Sequence, residues 1–173
     1  MESLKQGHSD SMKNILINNL EFARKQGQVE GEIDLACFER LSAMTVNESK
    51  QQQKIKYQLV GSHTKYHLPS LHMSINTVLP VICQRCLESM QLELALNFDY
   101  VLSETEPVEF EGDEEVDWLE VSPNMNLNNL VEDELLIAMP FAPVHQYDCK
   151  PSAFEAGEKH NPFDVLKKLK NKS

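Results

Sequence analysis

The stretch LHMSINTVLPVICQRCLESMQLELALNF (residues 71–98) decides the fold. In its first arm Leu71, Met73, Ile75, Thr77, Leu79 and Val81 alternate with His72, Ser74, Asn76 and Val78. In its second arm Leu92, Leu94, Leu96 and Phe98 alternate with Glu93, Ala95 and Asn97. A period of two sends successive side chains to opposite faces of a strand, so each arm carries one apolar face. Between the arms lies the knuckle Cys83-Gln84-Arg85-Cys86, short enough for them to return as an antiparallel hairpin. Pro80 has no N–H to donate, so the first arm is expected to be an edge strand, or bulged, at that point.

Upstream, Lys54 to Val60 alternates through Ile55, Tyr57 and Leu59 and is expected to stop at Gly61-Ser62, with Lys65 to Leu68 as a short partner strand. Asn14 to Gln26 has helical spacing through Ile17, Leu20 and Phe22, and Asp34 is placed to cap a short helix carrying Leu35, Phe38 and Leu41. Downstream, Val116, Trp118 and Leu119 mark a return strand that Pro123 closes. Leu127, Leu130, Val131, Glu134, Leu135 and Ala138 fall on one helical stripe, which predicts a helix over 127–138 with Asn126 as N-cap and Pro140 as its stop. Phe163, Val165, Leu166 and Leu169 predict a short lysine-rich final helix. The order reads as an α+β fold built on a mainly antiparallel β-meander, with an N-terminal helical region and a partly closed barrel as the open alternative. Residues 1–13 are expected to be a disordered extension, 14–148 a single domain with an acidic loop at 103–117, and 149–173 a mobile polar segment ending in the short helix.

The chain has 173 residues and a net charge of −11. Nine carboxylates and no Lys or Arg lie between Glu104 and Glu120, leaving −2 on the rest. A broad phosphate-binding face is therefore disfavoured, because affinity for nucleic acid leans on Lys and Arg. The acidic run reads either as a solvated loop or as a docking surface for a basic protein. No apolar run approaches the ~18 residues that span a bilayer. The N-terminus lacks a basic-then-apolar leader pattern, so a reducing cytoplasm is expected, where four cysteines are free thiols or metal ligands before they are bridges.

Cys83 and Cys86 have C-x2-C spacing, and His145 and Cys149 follow the helix with H-x3-C spacing. If helix 127–138 packs beside the hairpin, these residues form a Cys3His zinc set; otherwise the cysteines are small turn residues and the other two lie in a loop. Thiol redox chemistry is disfavoured, since the knuckle is flanked by strands rather than opening a helix. Arg85 is a candidate for an RNA phosphate, a partner carboxylate or a local ion pair. Glu132, Asp133 and Glu134 diverge by ~100° each around a helix and cannot all enter one site. Glu134 lies on the apolar stripe, so it reads as a half-buried carboxylate holding Arg85 or a backbone amide. Lys167, Lys168, Lys170 and Lys172 form a short basic patch, a candidate for a few RNA contacts. No nucleophile–base pattern or phosphate loop is present, so an enzyme is not expected.

At ICQRCLESM (82–90), LVEDELLIAMPFAPVH (130–145) and NPFDVLKKLK (161–170) the chain resembles the YceD family, the large ribosomal RNA subunit accumulation proteins. The resemblance implies a non-enzymatic, cytoplasmic ribosome biogenesis role in the synthesis, processing or stability of 23S ribosomal RNA. It makes Cys83, Arg85, Cys86, Glu132, Asp133, Glu134, Asn161, Pro162 and Phe163 motif positions of an interaction surface, with no catalytic residues to carry over. Some relatives have further cysteines after the helix, where this chain has only Cys149. No cofactor is therefore expected, zinc being the one candidate. Taken with the charge distribution, the expected partners are ribosomal proteins or large-subunit assembly factors, with ribosomal RNA contacted directly or through them, and neither a membrane nor a small-molecule substrate. The rival readings are a zinc-stabilised direct RNA-binding module, and a thiol oxidoreductase or ribonuclease.

Overall fold

The structure is a computed structural model and describes residues 14–46, 53–105 and 117–151. Its centre is the hairpin of β4 (Pro69–Ile82) and β5 (Ser89–Ser103), paired in register from Ser70↔Val101 to Ile82↔Ser89. At ~3.4 Å per residue each arm is about 45 Å long. The alternation seen in the sequence becomes one apolar face: Met73 lies opposite Phe98, Ile75 opposite Leu96 and Leu79 opposite Leu92. β3 (Lys54–His63) pairs with the first half of β4, and β2 (Gln28–Asp34) pairs with β3 as the outer edge.

β6 (Asp117–Glu120) adds at the other edge, parallel to β5 from Tyr100↔Asp117 to Ser103↔Glu120. The sheet order is β2-β3-β4-β5-β6, and it stays open, with β2 and β6 as separate edges; the barrel alternative is not adopted. A two-residue ladder joins β1 (Leu16–Ile17) to β7 (Met125–Asn126).

Among the described residues three helices cover the apolar face. α1 (Asn19–Arg24) lies across β3 and β4, α2 (Glu39–Ala43) follows a 3-10 turn at Leu35–Cys37, and α3 (Leu127–Ala138) packs on α2. Leu41, Ile55, Leu59, Met73, Ile75, Leu79, Leu127, Val131 and Leu135 are fully buried among them. Buried Asn19 brackets α1 to the chain after β6: its side chain donates to the Glu120 carbonyl (2.9 Å) and accepts from the Ser122 amide (2.9 Å). α3 has the bounds its periodicity predicts, and Asn126 Oδ1 accepts from the amides of Asn128 and Asn129.

The N-terminal half departs from expectation. Within Asn14–Gln26 the helix is only the six residues of α1, the 3-10 turn and α2 stand where the short helix carrying Leu35, Phe38 and Leu41 is expected, and Gln28–Asp34 between them forms a strand that no alternation announces. The Asp34 side chain makes no capping bond, and α2 is capped from elsewhere in the chain. β3 does not stop at Gly61-Ser62 but continues to His63. Lys65 to Leu68 is not a strand; it forms the β3–β4 loop, closed by the Thr64 amide donating to the Leu68 carbonyl (2.9 Å). Pro80 lies beyond Asn76, where β3 pairing ends, so β4 is locally an edge there and no ladder bond is lost. Of the acidic loop, 106–116 lies outside the described residues, as do the extension at 1–13 and the final helix.

Candidate functional site

The hairpin tip sets the first half of the site. The Cys83 amide donates to the Glu88 carbonyl (2.9 Å) and the Leu87 amide to the Cys83 carbonyl (2.9 Å), which folds the knuckle back on itself. Leu87 takes φ 62°, a left-handed conformation that costs a β-carbon-bearing residue ~1 kcal/mol or more and persists where neighbours over-determine it. Pro140 ends α3, and the chain then runs back along the knuckle, the Gln84 amide donating to the Pro143 carbonyl (2.8 Å). This return brings His145 and Cys149 onto the C-x2-C pair.

Cys83, Cys86 and Cys149 are buried and His145 is half-buried, with their four donor atoms within 4.8 Å of one another. Cys83 Sγ is 3.7 Å from Cys149 Sγ, and Cys86 Sγ is 3.4 Å from His145 Nδ1. The His145 ring stacks on Tyr147 at 4.5 Å between centroids. Arg85 turns inward: Nε donates to Cys149 Sγ (2.9 Å), and the guanidinium donates to the carbonyls of His145 (3.0 Å) and Tyr147. Asp148 lies 3.7 Å from the same guanidinium. Arg85 therefore does not hold Glu134, and much of its hydrogen-bonding capacity is spent inside the cluster.

Burial pushes the Cys83 thiol up, but the backbone amides of Cys86, His145 and Arg85 and the Cys86 side chain outweigh it and bring it down to about 5. Burial raises Cys86, and the neighbouring sulfurs of Cys83 and Cys149 raise it further. A lowered Cys83 beside a raised Cys86 is the pattern of donors crowded into one small volume.

The V-E-D-E stretch midway along α3 has different neighbours. Glu132 is the buried carboxylate, 7% exposed; Oε1 accepts from the amides of Arg40 (2.9 Å) and Leu41 (3.2 Å), and Oε2 from the Arg40 guanidinium (2.7 Å). It thus caps α2 from across the fold. Asp133 holds the same guanidinium at 2.7 Å. Glu134 accepts from the Tyr100 hydroxyl (2.7 Å). Glu132, Asp133 and Glu134 lie midway along α3, and their contacts are with α2 and Tyr100 rather than with the knuckle cluster. Arg40, Tyr100 and Tyr147 were not singled out from the sequence; no spacing links Arg40 to residues some ninety positions later. Asn161, Pro162, Phe163, Lys167, Lys168, Lys170 and Lys172 lie outside the described residues.

Burial lifts the Glu134 carboxyl above its ordinary range, the Tyr100 hydroxyl pulls it partly back, and Asp117 and Asp133 add to the lift. A carboxyl that holds its proton more tightly when folded contributes stability that is full below the ordinary carboxylate value and is lost as pH rises through the folded one. Glu134→Gln keeps an acceptor for Tyr100 without the charge. Its stability relative to the parent should therefore rise in urea melts as pH increases from the ordinary carboxylate range through the raised folded one, and a flat difference would show that the Glu134 carboxyl is not raised.

Fold and cluster together define an open-sheet α+β protein whose longest hairpin is latched at its tip by a Cys/His centre. A family model described as "Large ribosomal RNA subunit accumulation protein YceD" matches residues 71–170, more than half of the chain, and the chain belongs to that family. It is similar to the "Large ribosomal RNA subunit accumulation protein YceD" of Haemophilus influenzae, at 35% identity over 52% of this chain and 59% of the relative. The match thus spans about three-fifths of that relative's length. No solved structure matches the chain. Among the described residues no helix is long and apolar enough to cross a membrane.

Proposed function

We propose that this chain supports the accumulation of large-subunit (23S) ribosomal RNA in the cytoplasm as a non-enzymatic assembly factor, acting through a ribosomal protein or another assembly factor. Family membership carries the reading. The protein-mediated route is supported by the character of the outer sheet face. Its lysines are matched by a carboxylate, Glu32 holding Lys54 (2.9 Å) and Lys56 (3.8 Å), and the His72 ring is hydrogen-bonded to Asp99 (2.8 Å). Among the described residues such a face offers no positive stripe, and Trp118 on the edge strand β6 is its exposed aromatic rather than part of a row of stacking rings. By contrast, apolar side chains stand exposed around the latched tip: Leu87 on the knuckle, and Phe141, Val144 and Tyr147 on the returning segment. Grouped exposed apolar residues are the mark of a protein contact, and the acidic run between Glu104 and Glu120 would attract a basic partner.

The test is an affinity capture of the tagged chain from lysate, with and without ribonuclease, read by mass spectrometry and RNA sequencing. Large-subunit proteins or assembly factors should survive ribonuclease. Tight binding of purified protein to large-subunit RNA at physiological salt, with no retained protein partner, would overturn the protein-mediated route in favour of a direct RNA-binding module.

A further inference from the structure

We propose that Cys83, Cys86, His145 and Cys149 bind one Zn2+ in a closed tetrahedral site that pins the β4–β5 tip to the segment after α3. The spacings already match such a site. With Zn–S at ~2.3 Å and Zn–N at ~2.0–2.1 Å, tetrahedral geometry puts two sulfurs ~3.8 Å apart and a sulfur ~3.5 Å from a ring nitrogen. The observed separations are 3.7 Å for Cys83 and Cys149 and 3.4 Å for Cys86 and His145. The donors are thiolate and imidazole, with no carboxylate among them, which selects zinc over the oxygen-seeking cations. Four protein ligands leave no position for water or substrate, so the metal is structural.

Arg85 fits the same account. Three thiolates, a neutral imidazole and Zn2+ sum to −1, and a buried net charge needs a partner. The Arg85 guanidinium supplies +1 at 2.9 Å from Cys149 Sγ and fastens the ligand-bearing segment through the carbonyls of His145 and Tyr147. This gives the arginine of C-x-R-C a role that the RNA-contact reading did not supply. The left-handed Leu87 beside Cys86 is held by the same over-determined turn.

The experiment is metal analysis of the full chain purified under reducing conditions without chelators. One zinc per chain is expected, and Co2+ replacement should give the intense visible bands of a tetrahedral thiolate-rich site. Cys149→Ser and Cys86→Ser should lose the metal, whereas Cys37→Ser, outside the cluster, should keep it. Arg85→Ala should retain one zinc at saturation but bind it about 10- to 100-fold more weakly. Because ligand variants can fail to fold, zinc release from the unmodified chain on stepwise thiol titration with a mercurial provides a second measure. Release should track three thiols. Sub-stoichiometric metal after zinc reconstitution, full zinc retention by Cys149→Ser, or a Cys83–Cys149 disulfide in the freshly reduced and purified protein would each overturn the site.

Discussion

Glu132→Ala should lower the stability of this protein by about 3 kcal/mol, read as a shift of the urea midpoint at unchanged slope. The lost carboxylate accepts four hydrogen bonds, two from the first amides of α2 and two from the Arg40 guanidinium. Bonds to a charged group contribute ~1.5–3 kcal/mol each at most, and losing a helix cap costs ~0.5–2 kcal/mol. The total is held down because Arg40 is about half exposed and water can take over its donors. The amides near Leu41, which is fully buried, have no such recourse. Glu132→Gln should lose less, since its amide oxygen can still cap α2 while the ion pair disappears. An alanine effect below ~1 kcal/mol, or equal losses for the two substitutions, would mean that the cap does not hold α2 in place.

Gly61→Ala should be nearly as damaging, again by about 3 kcal/mol, against the usual trend. Gly61 lies in a strand and, like the other described glycines, is not left-handed, so alanine would ordinarily help by restricting the unfolded chain. Here the added β-carbon would stand 2.5 Å from the Phe22 carbonyl oxygen and 2.8 Å from Ala23 Cα. Both are backbone atoms of α1, so no rotamer change relieves them and the helix must lift off β3. Overpacking of this kind costs ~1–3 kcal/mol, and the rigid target places it at the upper end. Thermal melts with far-ultraviolet circular dichroism would check it; a stabilised variant would show that α1 is not seated on the strand.

The same glycine shows why part of the fold could not be read from the sequence. Gly61-Ser62 looks like a stop, because Gly and Ser mark turns, yet the strand runs through it since only a residue without a side chain admits α1. Gln28–Asp34 was illegible for a related reason. Its Gln, Gly, Glu and Asp are poor strand formers, and it becomes a strand only through seven pairings with β3. By contrast, β3, β4 and β5 carry period-two alternation, and α3 carries a helical stripe, a capping Asn126 and a stopping Pro140, so each declares itself locally. The site divides in the same way. C-x2-C is visible, and so is H-x3-C, but their meeting depends on where α3 releases the chain. Glu134 is half-buried, as its place on the stripe suggests, but it holds Tyr100 rather than Arg85. Glu132 is buried more deeply, because α2 docks over it with amides in need of an acceptor, a fact of packing that no spacing records.

The length mismatch between β3 and its neighbours has one further consequence. β3 pairing ends at Asn76, so residues 77–82 and 89–94 continue as a ribbon of two strands, held on its inner side by buried Leu79 and Val81 and at its edge by the Val46 amide donating to the Pro80 carbonyl (2.8 Å). In hydrogen-exchange terms, protection should weaken only toward the knuckle at 83–88, beyond those contacts. A latch there turns a fraying tip into a loop closed at both ends. Any partner that grips the tip would then meet a surface already fixed in shape, and binding would carry little of the ordering cost that a free hairpin end would impose.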